Sequence, residues 1–145
     1  MADKALVKAK VQEFLADGWS AKLHGDGYVL ELESAVLEVR VAQREDTPDG
    51  PVTIYLSSPF LWDVPATPEV FKYVALNADN YTFGHLSAYE DDHGSLTLYF
   101  SHTLLGDYLD QEELDAAVGA VLISANDLDD ELQKQFGGTK TFDDK

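Results

Sequence analysis

The sequence predicts a single α+β domain, in which helices pack on an antiparallel sheet of five to six strands. Three observations carry this prediction: helical spacing of apolar residues at both ends of the chain, two-residue alternation between them, and turn-forming residues at short intervals. The predicted element order is α-β-β-β-β-α-β-β-α, and short loops between strands favour antiparallel pairing. With 145 residues, the chain suits one domain. We assign residues 1–137 to it and residues 138–145 to a polar C-terminal tail.

The first four predicted strands form a meander. Apolar residues three and four apart predict a first helix over residues 3–17, which Gly18 would end. The pattern then changes to alternation, which is typical of half-buried strands. These strands are expected near residues 19–23, 28–32, 37–41 and 52–56, with the meander ending at Pro59.

Two tight turns are predicted within the meander. Asp26-Gly27 suits a two-residue hairpin loop, since both central positions require positive φ. Leu23 would then lie opposite Leu30. Ser34-Ala35 closes the next hairpin in the same way and places Leu30 opposite Val39. All these apolar residues would share one face.

The apolar run Phe60, Leu61 and Trp62 follows the meander and is the one candidate partner-binding segment. Such a run is either core, where a strand leads into a helix, or, if part of it is exposed, an anchor for a partner chain or second copy. Both interpretations are open at this level.

Clear capping residues mark the second and third helices. Thr67-Pro68-Glu69 starts the second, whose inner stripe would contain Phe71 and Val74, and it should end near Asn77. Asp110 and Glu113 have the spacing of a capping box before a long amphipathic helix. On that third helix, four acids fit a solvated outer face: Asp127, Asp129, Asp130 and Glu131.

A hairpin between these helices contains the histidine pair worth testing as a metal site. If Gly94 closes a three-residue loop, Asp91 pairs with Ser95, and leucines from both strands share one face. His85 and His102 then point to opposite faces. We therefore expect no metal site and no cofactor.

Composition narrows the function classes. The formal charge of −17 disfavours binding to a phosphate backbone. The absence of cysteine excludes disulfides and thiolate chemistry, and no nucleophile or glycine-rich phosphate motif stands out. No apolar segment is long enough to span a membrane, so we expect a cytoplasmic protein. Three functions remain open: a noncatalytic protein-binding module, an acidic nucleic-acid mimic, and a small-ligand-binding protein or enzyme.

One set of residues in the second half of the chain has a distinctive order. It consists of Leu76, Asn77 and Asn80, then Phe83-Gly84, Asp92, Gly94, Leu96, Leu98 and Leu109-Asp110 with Glu112. With these residues, the chain from about the first helix to Phe136 resembles the YbjN-like family of bacterial sensory transduction regulators, whose fold is similar to that of type III secretion chaperones. The resemblance implies a noncatalytic protein that binds protein partners, commonly as a homodimer, and it supplies no active-site residues.

Overall fold

Three helices and seven strands make up the described part of the chain in the computed structural model, which covers residues 3–16, 19–25, 27–43, 46 and 49–141. This confirms the α+β class. The predictions on Gly18 and Asp26 fall outside the described residues. In chain order the elements are α1 (Lys4–Ala16), β1 (Lys22–His24), β2 (Gly27–Leu32), β3 (Ala35–Ala42), β4 (Thr53–Pro65), α2 (Pro68–Asn77), β5 (His85–Glu90), β6 (Ser95–Leu105), α3 (Gln111–Phe136) and β7 (Thr139–Lys140).

The strands form one antiparallel sheet in the order β1-β2-β3-β4-β6-β5, and β7 pairs with β4. Six of them follow the predicted order. The additional strand, β7, lies in the segment predicted as a polar tail.

One face of the sheet forms the core. Helix α3 packs across β2, β3, β4 and β6, and α1 packs against α3 and β3. Along β3 and the first half of β4, buried and accessible residues alternate, as expected for a sheet covered on one side. The largest fully buried side chains include Phe60, Phe100, Leu37, Ile54 and Leu114.

The predicted register of the first two hairpins is wrong by two residues. Leu23 lies opposite Tyr28 instead of Leu30, and Leu30 lies opposite Leu37 instead of Val39. Gly27 belongs to β2, where a Cβ would lie 2.4 Å from the Val39 carbonyl oxygen. Glycine is needed at this position because β2 and β3 approach closely there. The turn between β1 and β2 therefore lies nearer to Gly25 than predicted, and Gly25 has a φ of 58°.

Tertiary contacts hold the second turn at Glu33 and Ser34 instead of Ser34-Ala35. Glu33 has a φ of 53°, and its carboxylate accepts a hydrogen bond of 2.8 Å from Asn126 Nδ2 on α3. The Ser34 amide donates to the Asn126 side-chain oxygen at 3.3 Å. A two-residue shift keeps every side chain on its predicted face.

β4 continues past Pro59 to Pro65, so the predicted end of this strand is wrong. β3 pairs with β4 only as far as Ser57, whereas β6 follows β4 to Pro65. Pro59 has no amide hydrogen to donate, and it lies just after the last residue of β4 that pairs with β3. Irregular pairing follows between residues 59 and 64, and Asp63 has a φ of 53°.

The helix starts are confirmed. Thr67 and Asp110 cap α2 and α3, and the Glu113 amide donates to Asp110 Oδ1 at 2.7 Å. The predicted inner stripe of α2 is wrong at Phe71, which is 48% exposed, whereas Val74 is partly buried against the core and Val70 is the buried residue of this helix. This short helix packs at the sheet edge beside β5, which leaves little surface to cover its apolar residues.

The predicted register of the β5–β6 hairpin is confirmed. The Asp91 amide donates to the Ser95 carbonyl at 2.8 Å, and Gly94 has a φ of 80°. His85 lies opposite Ser101, so the two histidines point to opposite faces of the sheet.

Candidate partner-binding surfaces

The face of the sheet opposite the core carries side chains that none of the three described helices covers. Cross-strand pairing brings them together from β3, β4, β6 and β5, with Arg40 opposite Tyr55 and Ser57 opposite Ser101. We call this surface the open face. It comprises Arg40, Tyr55, Ser57, His85, Tyr89, Tyr99 and Ser101.

Tyrosines dominate the exposed area of the open face. Tyr55 is 40% and Tyr89 is 62% exposed. The Arg40 guanidinium carbon lies 5.3 Å from the centre of the Tyr55 ring, within cation–π distance. Burial raises the pKa of Tyr99, and the nearby Glu38 and Tyr89 raise it further. The Tyr99 phenol therefore stays neutral near pH 7. Each of the three tyrosines offers a rigid apolar ring with a hydroxyl for hydrogen bonding.

The open face has little depth for a small ligand. A depression of about 210 Å³ lies between β1, β2 and β3 and is lined by His24, Glu38 and Arg40 among others. Typical ligand sites occupy roughly 300–1,000 Å³ and enclose most of the ligand. The surface is better suited to a chain lying across it.

The predicted segment Phe60, Leu61 and Trp62 lies in the second half of β4. Phe60 and Leu61 have no accessible surface, whereas Trp62 is 37% exposed. The Trp62 indole donates a hydrogen bond of 2.8 Å to Thr141 Oγ1. Only Trp62 of the three can therefore contact a partner without the core opening.

A buried carboxylate, Asp129, is a feature that the sequence-based predictions missed. Its predicted place on a solvated face is wrong, because it is fully buried between α3 and the β2–β3 turn. Asp129 Oδ2 accepts a 2.5 Å hydrogen bond from Ser34 Oγ, while Oδ1 has no hydrogen-bond partner. Burial raises the pKa of Asp129, although the Ser34 hydrogen bond and the Lys140 charge act in the opposite direction. Its spacing, four residues after Ala125 and three before Leu132, is the signal in the sequence that places Asp129 on the apolar face of α3.

The histidines and acids within the described ranges do not assemble into a metal-binding cluster. Across the described residues, no group of three or more histidines, cysteines, aspartates or glutamates could hold an ion. His102 packs against Phe83, with ring centroids 6.0 Å apart. Burial, and then the charge of His85, lowers the pKa of His102.

None of the three helices in the described ranges combines the length and apolar character that crossing a bilayer requires.

The described helices pack on one face of the antiparallel sheet, and the open face carries exposed tyrosines. The chain belongs to the family of T3SS (YopN, CesT) and YbjN peptide-binding chaperones, TY-Chap1, whose model matches residues 3–144. Among solved structures, the fold is similar to the crystal structure of YbjN from E. coli. That similarity has a TM-score of 0.66 at 12% sequence identity, and covers 88% of this chain and 93% of that chain. No curated protein matches the chain significantly.

Proposed function

We propose that this protein is a noncatalytic module that binds segments of partner proteins across the open face. The observation that carries this proposal is the exposed tyrosine and arginine array on a sheet face without helices. Membership of a peptide-binding chaperone family supports the same class of ligand. Tyrosine and arginine are enriched at protein interfaces because each combines contact area with polar groups.

The charge of the protein favours a partner segment with basic residues. The net charge of −17 creates a negative potential that accelerates association with cationic segments and repels nucleic acid. The tyrosine rings would supply apolar contact, while Glu38 lies opposite Ser57 on the same face and near Tyr99. We therefore expect partner segments in which basic residues alternate with apolar or aromatic ones.

The test is selection of peptides from a random library displayed on phage, followed by fluorescence anisotropy with the selected peptides. Replacing both Tyr55 and Tyr89 by serine should weaken binding at least tenfold, since buried interface aromatics often contribute about 1–2 kcal/mol each. Tyr108→Ser is the matched control, because Tyr108 is 86% exposed and lies outside the open face. Unchanged affinity in the double variant, with selected peptides that bind the wild type, would rule out the open face.

Self-association is a second part of the proposal. Phe71 and Leu76 on α2 are 48% and 67% exposed, although both are large and apolar. Such residues are typical of surfaces that a second protomer covers. Light scattering after size-exclusion chromatography should give a dimer for the wild type and a monomer for Phe71→Ser. Ile123→Ser, at a site 56% exposed on α3, is the control. A monomeric wild type would contradict this part.

A further inference from the structure

The second half of β4 has a pairing edge that the chain's own C-terminal strand occupies. Pairing between β3 and β4 stops at Ser57. Further along β4, β7 pairs with it and places Lys140 opposite Leu61 and Thr139 opposite Trp62. We propose that this edge accepts an extended segment of a partner protein, and that β7 holds the edge closed until that segment displaces it. The inference rests on the proposed function only in taking a protein segment as the ligand, and it concerns a different surface.

Side-chain contacts show that the edge is a built site for an extended strand. Thr141 Oγ1 accepts a hydrogen bond from the Trp62 indole at 2.8 Å and donates one to the Pro59 carbonyl at 2.5 Å. This donation reaches a carbonyl beyond Ser57, the last residue of β4 that pairs with β3. When β7 is absent, the indole and the carbonyl would be free to pair with another strand.

Lys140 gives the site its charge preference. Its side chain is only 8% exposed, and its ammonium group forms an ion pair with Asp130. The positive charge also acts on the buried Asp129, whose Oδ1 lacks a hydrogen-bond partner. An incoming strand must therefore place a lysine or arginine at this position, since an apolar residue would leave two carboxylates without a cation.

Gly138 sets a steric requirement just before the strand. A Cβ at this position would lie 2.7 Å from the Trp62 carbonyl oxygen and 2.9 Å from Val64 Cγ2. With the contacts of Lys140 and Thr141, this defines the segment that fits: glycine, one residue with an exposed side chain, a basic residue and a hydroxyl residue, in extended conformation. Backbone pairing supplies affinity in such strand addition, and the side chains supply selectivity.

The pairing of β7 is short enough to be displaced. It covers two residues, whereas β6 pairs with β4 along most of its length. A tethered strand competes with an effective concentration on the order of millimolar. A free segment of the same sequence should therefore bind the wild-type protein weakly, and more tightly when the tethered strand is impaired.

The experiment uses the full chain and a fluorescein-labelled peptide with the sequence of residues 137–145 as the probe. Gly138→Ala should impair docking of the tethered strand, because the added Cβ meets the Trp62 carbonyl. We expect this variant to bind the probe at least tenfold more tightly than the wild type does in fluorescence anisotropy. Gly137→Ala is the matched control, since Gly137 also has positive φ, at 81°, but open space around its Cβ position. The affinity of Gly137→Ala for the probe should stay within about threefold of wild type. This substitution adds the backbone strain of a positive φ but no steric clash of the new Cβ.

A second pair of variants avoids backbone strain. Thr141→Val removes both hydroxyl contacts of the tethered strand and should also tighten probe binding, while Thr139→Val alters an exposed residue and should not. Nuclear magnetic resonance would follow the Trp62 indole proton, assigned with Trp19→Phe. That resonance should shift in Thr141→Val and return when the probe binds.

The proposal is overturned if Gly138→Ala and Thr141→Val, both folded by circular dichroism, bind the probe no more tightly than the wild type. It is also overturned if a probe with glutamate in place of Lys140 binds equally well. Failure of the proposed function gives a different result: Tyr55 and Tyr89 substitutions would leave selected peptides bound, while the tail probe still responds to Gly138→Ala.

Discussion

Replacing the buried carboxylate of Asp129 by an amide should stabilise the protein at neutral pH. Asp129 is fully buried, and Oδ1 has no hydrogen-bond partner. A buried polar group without a partner costs about 1–3 kcal/mol, and a charged one costs more. The amide introduced by Asp129→Asn would keep the acceptor for Ser34 Oγ and lose the charge, although it also loses attraction to Lys140. We expect this substitution to raise the free energy of unfolding by about 1 kcal/mol at pH 7.5.

The pH dependence follows from the raised pKa of Asp129 in the folded protein. Between the unfolded pKa of about 3.9 and the higher folded value, the native state binds more protons than the unfolded state, so wild-type stability falls as pH rises. The amide side chain of the variant does not titrate. The advantage of the variant should therefore be small near pH 4 and grow as pH rises through the folded pKa.

Urea denaturation followed by circular dichroism at several pH values measures this difference directly. Asp127→Asn is the matched control, because Asp127 is an exposed acid on the same helix; its effect should stay within about 0.5 kcal/mol. Ser34→Ala should destabilise by about 1–3 kcal/mol through loss of the hydrogen bond to the carboxylate. An Asp129→Asn variant that is less stable than wild type at pH 7.5, or an advantage that does not change with pH, would refute the reasoning.

Three other substitutions test the fold. Gly27→Ala should destabilise by about 2 kcal/mol or more, because the new Cβ would lie 2.4 Å from the Val39 carbonyl oxygen; urea denaturation that shows no loss would contradict the assigned close approach. Gly119→Ala on α3 meets no atom within 4 Å and should stabilise by about 0.5–1 kcal/mol in the same assay. Asp110→Ala removes the acceptor of the Glu113 amide and should cost about 0.5–2 kcal/mol; unchanged thermal unfolding would show that this cap contributes nothing.

The elements that the sequence predicted correctly depend on local interactions. The capping residues Thr67 and Asp110 act within three residues of their own position. The loop at Gly94 sets the β5–β6 register through the Asp91 and Ser95 backbone. These signals lie within one turn of chain, so the residue types alone specify them.

Alternation could not reveal the register of the first hairpins. A shift of two residues keeps each side chain on the same face, so the apolar pattern is equally satisfied by both registers. The choice depends on the close approach of Gly27 to Val39 and on contacts from α3 to Glu33. Neither can be read from the hairpin segment itself.

The candidate binding surfaces also depend partly on local sequence and partly on tertiary contacts. The sequence by itself determined the element order, the helix caps and the candidate segment around Trp62. The tertiary structure alone decided that Phe60 and Leu61 are core residues, that β7 closes the edge of β4, and that Asp129 meets Ser34 across 95 residues of chain. The physical reason is that burial and strand pairing depend on which distant segments approach, whereas caps and turns depend on neighbours in the chain.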